Sequence, residues 1–381
     1  MVNNGNNHAP ARSAGGLDYD SSDFDHSPLV VFYEVTRACN LLCRHCRAEA
    51  QPRRHPLELD TRTALALLAD LKRFPKPPLL VFTGGDPIKR ADVFDLVRYG
   101  VESGLKVAMT PSATKLVTPA VVRGLQQAGL HRLAVSLDGA DAATHDGFRR
   151  VPGSYERTLE IMRDAIQFNL PLQINTTIAR HNFDQIDAMA CLLGHYPIML
   201  WSVFFLVPTG RALAESRISP EEYEIAFEKL YQHTGRHGFG VKTTEAPHYR
   251  RFILEKQNHA APAEKDGGYA LPGIVGTNDG RGVMFISHIG EIFPSGFLPI
   301  LCGRFPHDSL VDVYQHSPLF GDLRNPGKLK GKCGFCRYRG ICGGSRARAY
   351  GLTGDPLAAE PDCIYGSPRV APQRSLPLCL A

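Results

Sequence analysis

The 381-residue sequence has no run of the roughly 18 consecutive apolar residues that a membrane-spanning helix needs, so no membrane span is expected. It carries little net charge. Against 43 Lys and Arg stand 38 Asp and Glu, and the resulting +5 is too mild at this length to argue for a nucleic-acid partner. Residues 1–27 lack the basic and apolar regions of an export signal and are rich in Asn, Gly, Ser and Asp. A segment so polar buries too little apolar surface to offset its ordering, and it is expected to be disordered. Cysteine, by contrast, is plentiful: ten residues in a chain without an export signal. That usage favours a reducing, cytoplasmic setting and metal ligation over disulfides. Hydrophobic residues make up 43% of the chain, enough for a full catalytic domain and a smaller second one.

The cysteines fall into two sets. Cys39, Cys43 and Cys46 are spaced C-x3-C-x2-C on one short segment. Three thiolates on a tight loop can hold three corners of a four-iron cluster and leave the fourth iron without a protein ligand. Electron-transfer clusters are usually closed by four cysteines. An open metal position binds and activates a small molecule. Zinc or a group of structural thiols is the competing reading, with His45 as the side chain a zinc site would recruit. Cys333, Cys336 and Cys342, spaced C-x2-C-x5-C, are followed by Cys363, and four thiolates satisfy a complete cluster. Zinc is again the rival. Cys302 is an upstream spare, Cys191 reads as a small core residue and Cys379 has no assigned role.

Between the two sets, short apolar runs alternate with amphipathic helical stretches. Strands are expected at Leu29 to Thr36, Leu79 to Phe82, Lys106 to Met109, Arg132 to Leu137, Leu172 to Ile178 and Met199 to Phe205. The intervening helices begin at Asp60, Ala91, Thr118, Ser154, Phe183 and Pro220, with Asp60 as an N-cap. Such alternation implies a parallel sheet with right-handed crossovers and ligands at the C-terminal strand ends. Six units are too few for a closed eight-stranded barrel. At those strand ends lie Gly84-Gly85-Asp86-Pro87, Ser136-Leu-Asp138-Gly and Val207-Pro-Thr-Gly-Arg211. The paired glycines permit close backbone approach to a ligand; an ordinary strand–helix turn is the bland alternative.

The C-x3-C-x2-C loop after an apolar strand, followed by Gly84-Gly85-Asp86-Pro87, resembles the radical S-adenosylmethionine (SAM) superfamily. The resemblance implies an α/β fold: a partial (β/α)6 TIM-like barrel over 28–240, then a bridging region with a hairpin at 241–300. A small cysteine-rich domain at 301–381 would resemble the SPASM/twitch extensions, with one auxiliary 4Fe-4S cluster on Cys333, Cys336, Cys342 and Cys363. It further implies that SAM chelates the open iron and that its reductive cleavage yields a 5′-deoxyadenosyl radical, which abstracts hydrogen from substrate. His45 matches the aromatic residue that packs on SAM. Gly84, Gly85 and Asp86 match the motif that binds the methionyl ammonium, with Asp where relatives carry Glu. Ser112, Ser136, Asp138 and Asn175 are candidate SAM contacts, and Arg157 and Arg211 candidate carboxylate partners. Asp138 is equally a helix cap, and Arg157 equally a solvated helix-face residue. Arg337, Arg339, Arg346 and Arg348 around the second set would balance cluster charge and bind substrate carboxylates. His288, on the expected hairpin, is a candidate contact. A low-potential donor such as flavodoxin or ferredoxin is the implied partner.

Phe293 to Pro299 and Cys342 to Tyr350 are similar to the branch that modifies haem precursors, over most of 28–366. That branch implies oxidative decarboxylation of a propionate. A maturase acting on a ribosomally made peptide is the main alternative, weakened because 1–27 is too short and polar for a peptide-binding domain. A non-catalytic iron–sulfur or zinc scaffold is the third reading.

Overall fold

Strand β1 (Val30–Thr36) is built from β-branched and aromatic residues whose alternate side chains, Val31, Tyr33 and Val35, are fully buried under the helical layer. The same alternation recurs around the sheet, and it fixes which side chains line the interior. A computed structural model describes residues 19–257 and 276–366. After β1 the order is α1 (Thr61–Leu71), β2 (Leu79–Gly84), α2 (Val93–Glu102), β3 (Lys106–Met109), α3 (Pro119–Gln127) and β4 (Arg132–Ser136). Helices α4 (Ala142–Arg149) and α5 (Ser154–Gln167) precede β5 (Leu172–Ile178), α6 (Ile186–Gly194), β6 (Leu200–Phe205), α7 (Pro220–His233), β7 (Gly240–Thr244) and α8 (His248–Lys256). Asp60 caps α1 by accepting from the Thr63 amide, a contact worth about 1 kcal/mol.

Strands β1 to β7 are parallel and pair in chain order, as a partial barrel requires. The hairpin of β8 (Val283–Ile286) and β9 (Glu291–Phe293) extends the sheet past β1: β8 pairs parallel with β1 and antiparallel with β9, and β10 (Gly303–Arg304) pairs with β9. The sheet therefore continues beyond 240 at both edges. Four short α-helices follow among the described residues: α9 (Leu310–His316), α10 (Pro318–Arg324), α11 (Gly331–Phe335) and α12 (Arg346–Thr353). No helix among the described residues is long and apolar enough to cross a membrane.

Two expectations are corrected. The polar N-terminal segment is ordered from residue 19, because Phe24 is buried and its carbonyl accepts from the Tyr314 hydroxyl at 2.8 Å. The Tyr19 hydroxyl also reaches Lys76 O at 2.7 Å. Residues 1–18 and Cys379 lie outside the described residues. Cys191 is not a buried core thiol; it is half-buried on α6 and disulfide-bonded.

Candidate active site

The loop leaving β1 is held in place from three sides. Its cysteines are free thiols, with Cys39 and Cys43 buried and Cys46 half-buried. From the β2 side, Gly85 N donates to Thr36 O at 2.8 Å and Asp86 N to Ala38 O at 2.7 Å. Gly84, at φ +142°, and Gly85 lie so close that an added Cβ would stand 2.1 Å from Thr36 O and 2.3 Å from Ala38 O respectively. From the β6 side, Arg211 donates through its backbone N to Cys46 O at 3.1 Å, and through Nε to Cys43 O at 3.1 Å. Its Nη1 reaches Ala50 O at 3.2 Å.

The third brace is α4. Arg149 Nε donates to Asp138 Oδ2 at 2.7 Å, and its Nη1 lies 3.6 Å from Cys43 Sγ. Asp138 is fully buried. Burial alone raises its carboxyl, but Arg149 and then His45 and His145 outweigh that and hold it at about 2. Removing one partner of such a buried pair costs about 3–5 kcal/mol. His145 accepts from Asp138 N at 3.0 Å through Nδ1 and meets Ser154 Oγ at 3.2 Å through Nε2; burial pulls its ring down to about 4, so it is neutral. His45 stacks on Phe148 with centroids 4.1 Å apart, and Phe148 in turn stacks on His181 at 3.9 Å.

Each thiol of this loop meets a donor. Leu41 N approaches Cys39 Sγ at 3.3 Å, Ala50 N approaches Cys46 Sγ at 3.4 Å, and Arg149 serves Cys43. Burial raises the Cys39 and Cys43 thiols, and the donors oppose it. Such donors suit a negatively charged cluster. Beside the loop lies an open cavity whose walls include Leu41, Gly84, Gly85, Ser112, Ser136 and Arg149.

A second cavity is lined by Cys333, Cys336, Cys342 and Cys363 together with His248 and Glu360. Backbone amides again point at sulfur: Glu360 N to Cys333 at 3.3 Å, Tyr338 N to Cys336 at 3.4 Å, and Gly344 N to Cys342 at 3.4 Å. Gly343 and Gly344, at φ +69° and +68°, make that last turn. Among the described residues no three His, Cys, Asp or Glu side chains close on a single ion.

The sequence profile of the Radical SAM superfamily matches residues 33–193. The AdoMet-dependent heme synthase of Methanosarcina barkeri is 39% identical over 345 residues, covering 89% of this chain and 97% of that protein. The chain belongs to the radical SAM superfamily. It is an enzyme of that superfamily, with the 4Fe-4S cluster and SAM that the family uses. The mycofactocin maturase MftC of Mycobacterium ulcerans is 29% identical, covering 93% of this chain and 94% of that protein. Among solved structures, Streptococcus suis SuiB aligns with a TM-score of 0.70 at 17% identity, over 89% of this chain and 77% of that one, and so shares the fold.

Against this radical SAM frame the expected side chains divide. Gly84, Gly85, Ser112 and Ser136 line the cavity beside the triad. Asp86 is fully buried, and its carboxylate accepts from Thr114 Oγ1 at 2.8 Å, Ile88 N at 3.3 Å and Ser112 N at 3.4 Å. It shapes the turn. Arg157 is turned away: its guanidinium binds Val117 O, Thr114 O and Glu160, and the arginine on the cavity wall is Arg149. Asn175 accepts from Gln173 Nε2 at 2.7 Å on the inner face of β5. Arg211 braces the cluster loop rather than facing open space. Arg346 and Arg348 are buried and engaged, the first on Pro356 O and Ala358 O, the second on Glu360 and Asp362. His288 is buried with Nδ1 2.8 Å from Glu34 Oε1. Cys302 approaches Ile300 O at 3.5 Å and is not on the wall of the second cavity. Arg149 and His145 were missed; their signal is an i, i+4 pair of a cation and a histidine on one helix face.

Proposed function

We propose that this radical SAM enzyme performs oxidative decarboxylation of a propionate on a tetrapyrrole, with an auxiliary 4Fe-4S cluster on Cys333, Cys336, Cys342 and Cys363. The observation that carries this reading is the second four-cysteine cavity, in a chain that aligns nearly end to end with the AdoMet-dependent heme synthase of Methanosarcina barkeri. SAM is assigned to the cavity walled by Gly84, Gly85, Ser112, Ser136 and Arg149, with His45, Asp86, Asp138 and Arg211 setting its shape. Cys39, Cys43 and Cys46 would hold the first cluster, which would supply the reducing electron for SAM cleavage, and Cys333, Cys336, Cys342 and Cys363 would hold the auxiliary cluster, which would supply an acceptor for the electron that decarboxylation releases. A flavodoxin- or ferredoxin-like donor supplies the low-potential electron.

The residues of this chain hold, shield and tune. The Gly84–Gly85 turn lets backbone approach the ligand without a side chain between them. The Asp138–Arg149 pair keeps a cation beside Cys43 while remaining neutral overall. His248 is buried on the wall of the second cavity, both ring nitrogens lack a hydrogen-bond partner, and its ring is fixed against Tyr223 and Phe227 at centroid distances of 5.1 and 4.8 Å. It is assigned as an N–H donor to a cluster sulfur. Such a bond stabilises the more negative, reduced form. His248→Phe, which keeps the ring shape, is expected to lower the auxiliary midpoint potential in an EPR-monitored titration without loss of iron. Iron loss would instead make His248 a ligand.

The test of function is mass spectrometry on anaerobic reactions containing SAM, reductant and propionate-bearing porphyrins or, separately, small peptides. The expected product lacks CO2 and two hydrogens per propionate, with one 5′-deoxyadenosine formed each time. A modified peptide, with the porphyrins untouched, would move the assignment to the maturase reading that the MftC likeness supports.

A further inference from the structure

Several arginines near the two cysteine sets are tied to protein groups. Arg211 spends Nε and Nη1 on the loop of the first set, Arg149 holds Asp138, and Arg346 and Arg348 hold carbonyls and acids of the C-terminal region. Strand register identifies further cations for a polycarboxylate substrate. With Val135, Ile174 and Val203 packed outward under the helices, their neighbours Ser136, Asn175 and Ser202 face the interior. The ladders place Ser136 opposite Asn175, Asn175 opposite Ser202, and Ser202 opposite Lys242. Lys242 therefore shares an inward row with Ser136, a wall residue of the cavity beside the cysteine triad. Three strand steps separate them, at most roughly 14 Å. A macrocycle can lie across that span.

Arg132 reaches the same row from β4. Its Nη1 donates to Gln173 Oε1 at 3.0 Å, and Gln173 passes a bond of 2.7 Å to Asn175. Its Nε is buried with no hydrogen-bond partner. Lys242 keeps solvent exposure on β7, the edge strand of the sheet. Surrounding protein, then Arg132 and Arg250, pull its ammonium below the ordinary lysine range. Arg250 is itself engaged on Ile341 O and Thr277 O. Among the described strands β1 to β8, the inward carboxylate is Glu34, and Arg47 at 3.1 Å and His288 at 2.8 Å take it up. Among the described residues no acid pairs with Arg132 or Lys242, and uncompensated cations on one inner face favour an anion there. Small side chains, Ala108 and Ala134, leave room beside them. Phe32 and Phe285, which pair across β1 and β8, give the opposite wall an apolar face.

We infer that Arg132 and Lys242 form an anion site on the inner face of the barrel that takes a propionate carboxylate of the substrate. The inference rests on the tetrapyrrole reading and names the recognition element for it. The test is an anaerobic fluorescence titration of the iron-loaded full chain with coproporphyrin, as the free acid and as its methyl ester. Wild type is expected to prefer the acid. Lys242→Met and Arg132→Met should each weaken acid binding about ten-fold or more, the worth of a charge-assisted hydrogen bond, and leave the ester unchanged. Lys242→Arg should restore the preference. Iron content and circular dichroism of each variant exclude misfolding. Met variants that keep the wild-type acid-over-ester ratio overturn the site while sparing the substrate reading. A wild-type protein that binds neither form overturns both.

Discussion

Replacing any one of Cys39, Cys43 and Cys46 by Ala is expected to abolish 5′-deoxyadenosine formation. On the proposed assignment these three thiols are the protein's hold on the first cluster, since no other cysteine lies on that loop. Two thiolates cannot retain a four-iron unit against chelation. Iron should fall from about eight to about four per chain, because the second set stands apart in its own cavity with its own amide donors. The reverse substitution separates the two sites: Cys363→Ala should lose the auxiliary iron and keep some SAM cleavage. Iron counting, EPR and chromatographic assay of 5′-deoxyadenosine read these outcomes together. A triad variant that still cleaves SAM would remove the proposed catalyst. Wild-type iron near four would remove the auxiliary cluster and leave the first intact.

The chemistry was legible where it depends on spacing. Three cysteines within eight residues and four more near the C-terminal end are local facts, and so is the glycine pair after β2. The strand–helix alternation was legible for the same reason, because each buried strand is a short apolar run. What was hidden depends on direction. Arg157 and Arg149 are both basic residues on helices after β4, and only the packing of α4 turns Arg149 toward Cys43. Helix α4 itself buries only His145 and Phe148, so its sequence shows almost no apolar face. Strand β7 was missed because it is exposed or half-buried throughout and carries no apolar run. The joining of β8 to β1 is long-range pairing, and no local pattern encodes it. Arg211 stood at the right strand end for a substrate contact, yet the carbonyls of the cluster loop claim it first.

Gly85→Ala is expected to lower 5′-deoxyadenosine formation by about 100-fold, the scale of a displacement of roughly 1 Å at a reacting centre. The new Cβ would lie 2.3 Å from Ala38 O, 2.6 Å from Ala38 C and 2.6 Å from Arg37 O. All three are backbone atoms of the cluster loop, so no side chain can swing aside. Either the turn lifts and breaks the bonds from Gly85 N and Asp86 N, or the loop carrying Cys39 moves. Ser112 would follow in both cases, because its hydroxyl binds Gly85 O at 2.8 Å and lies 3.3 Å from Cys39 Sγ. The overpacking cost to the fold is about 1–3 kcal/mol, a loss the rest of the core can absorb. Gly104→Ala is the matched comparison. Gly104, unlike Gly85, has a positive φ, +88°, but nothing lies within 4 Å of its added Cβ. That substitution should cost about 1 kcal/mol of stability through backbone strain and leave the rate untouched. If both variants lose activity in proportion to their melting temperatures, general destabilisation explains the loss. If only Gly85→Ala loses it, the close approach of the two loops is itself part of the catalytic geometry.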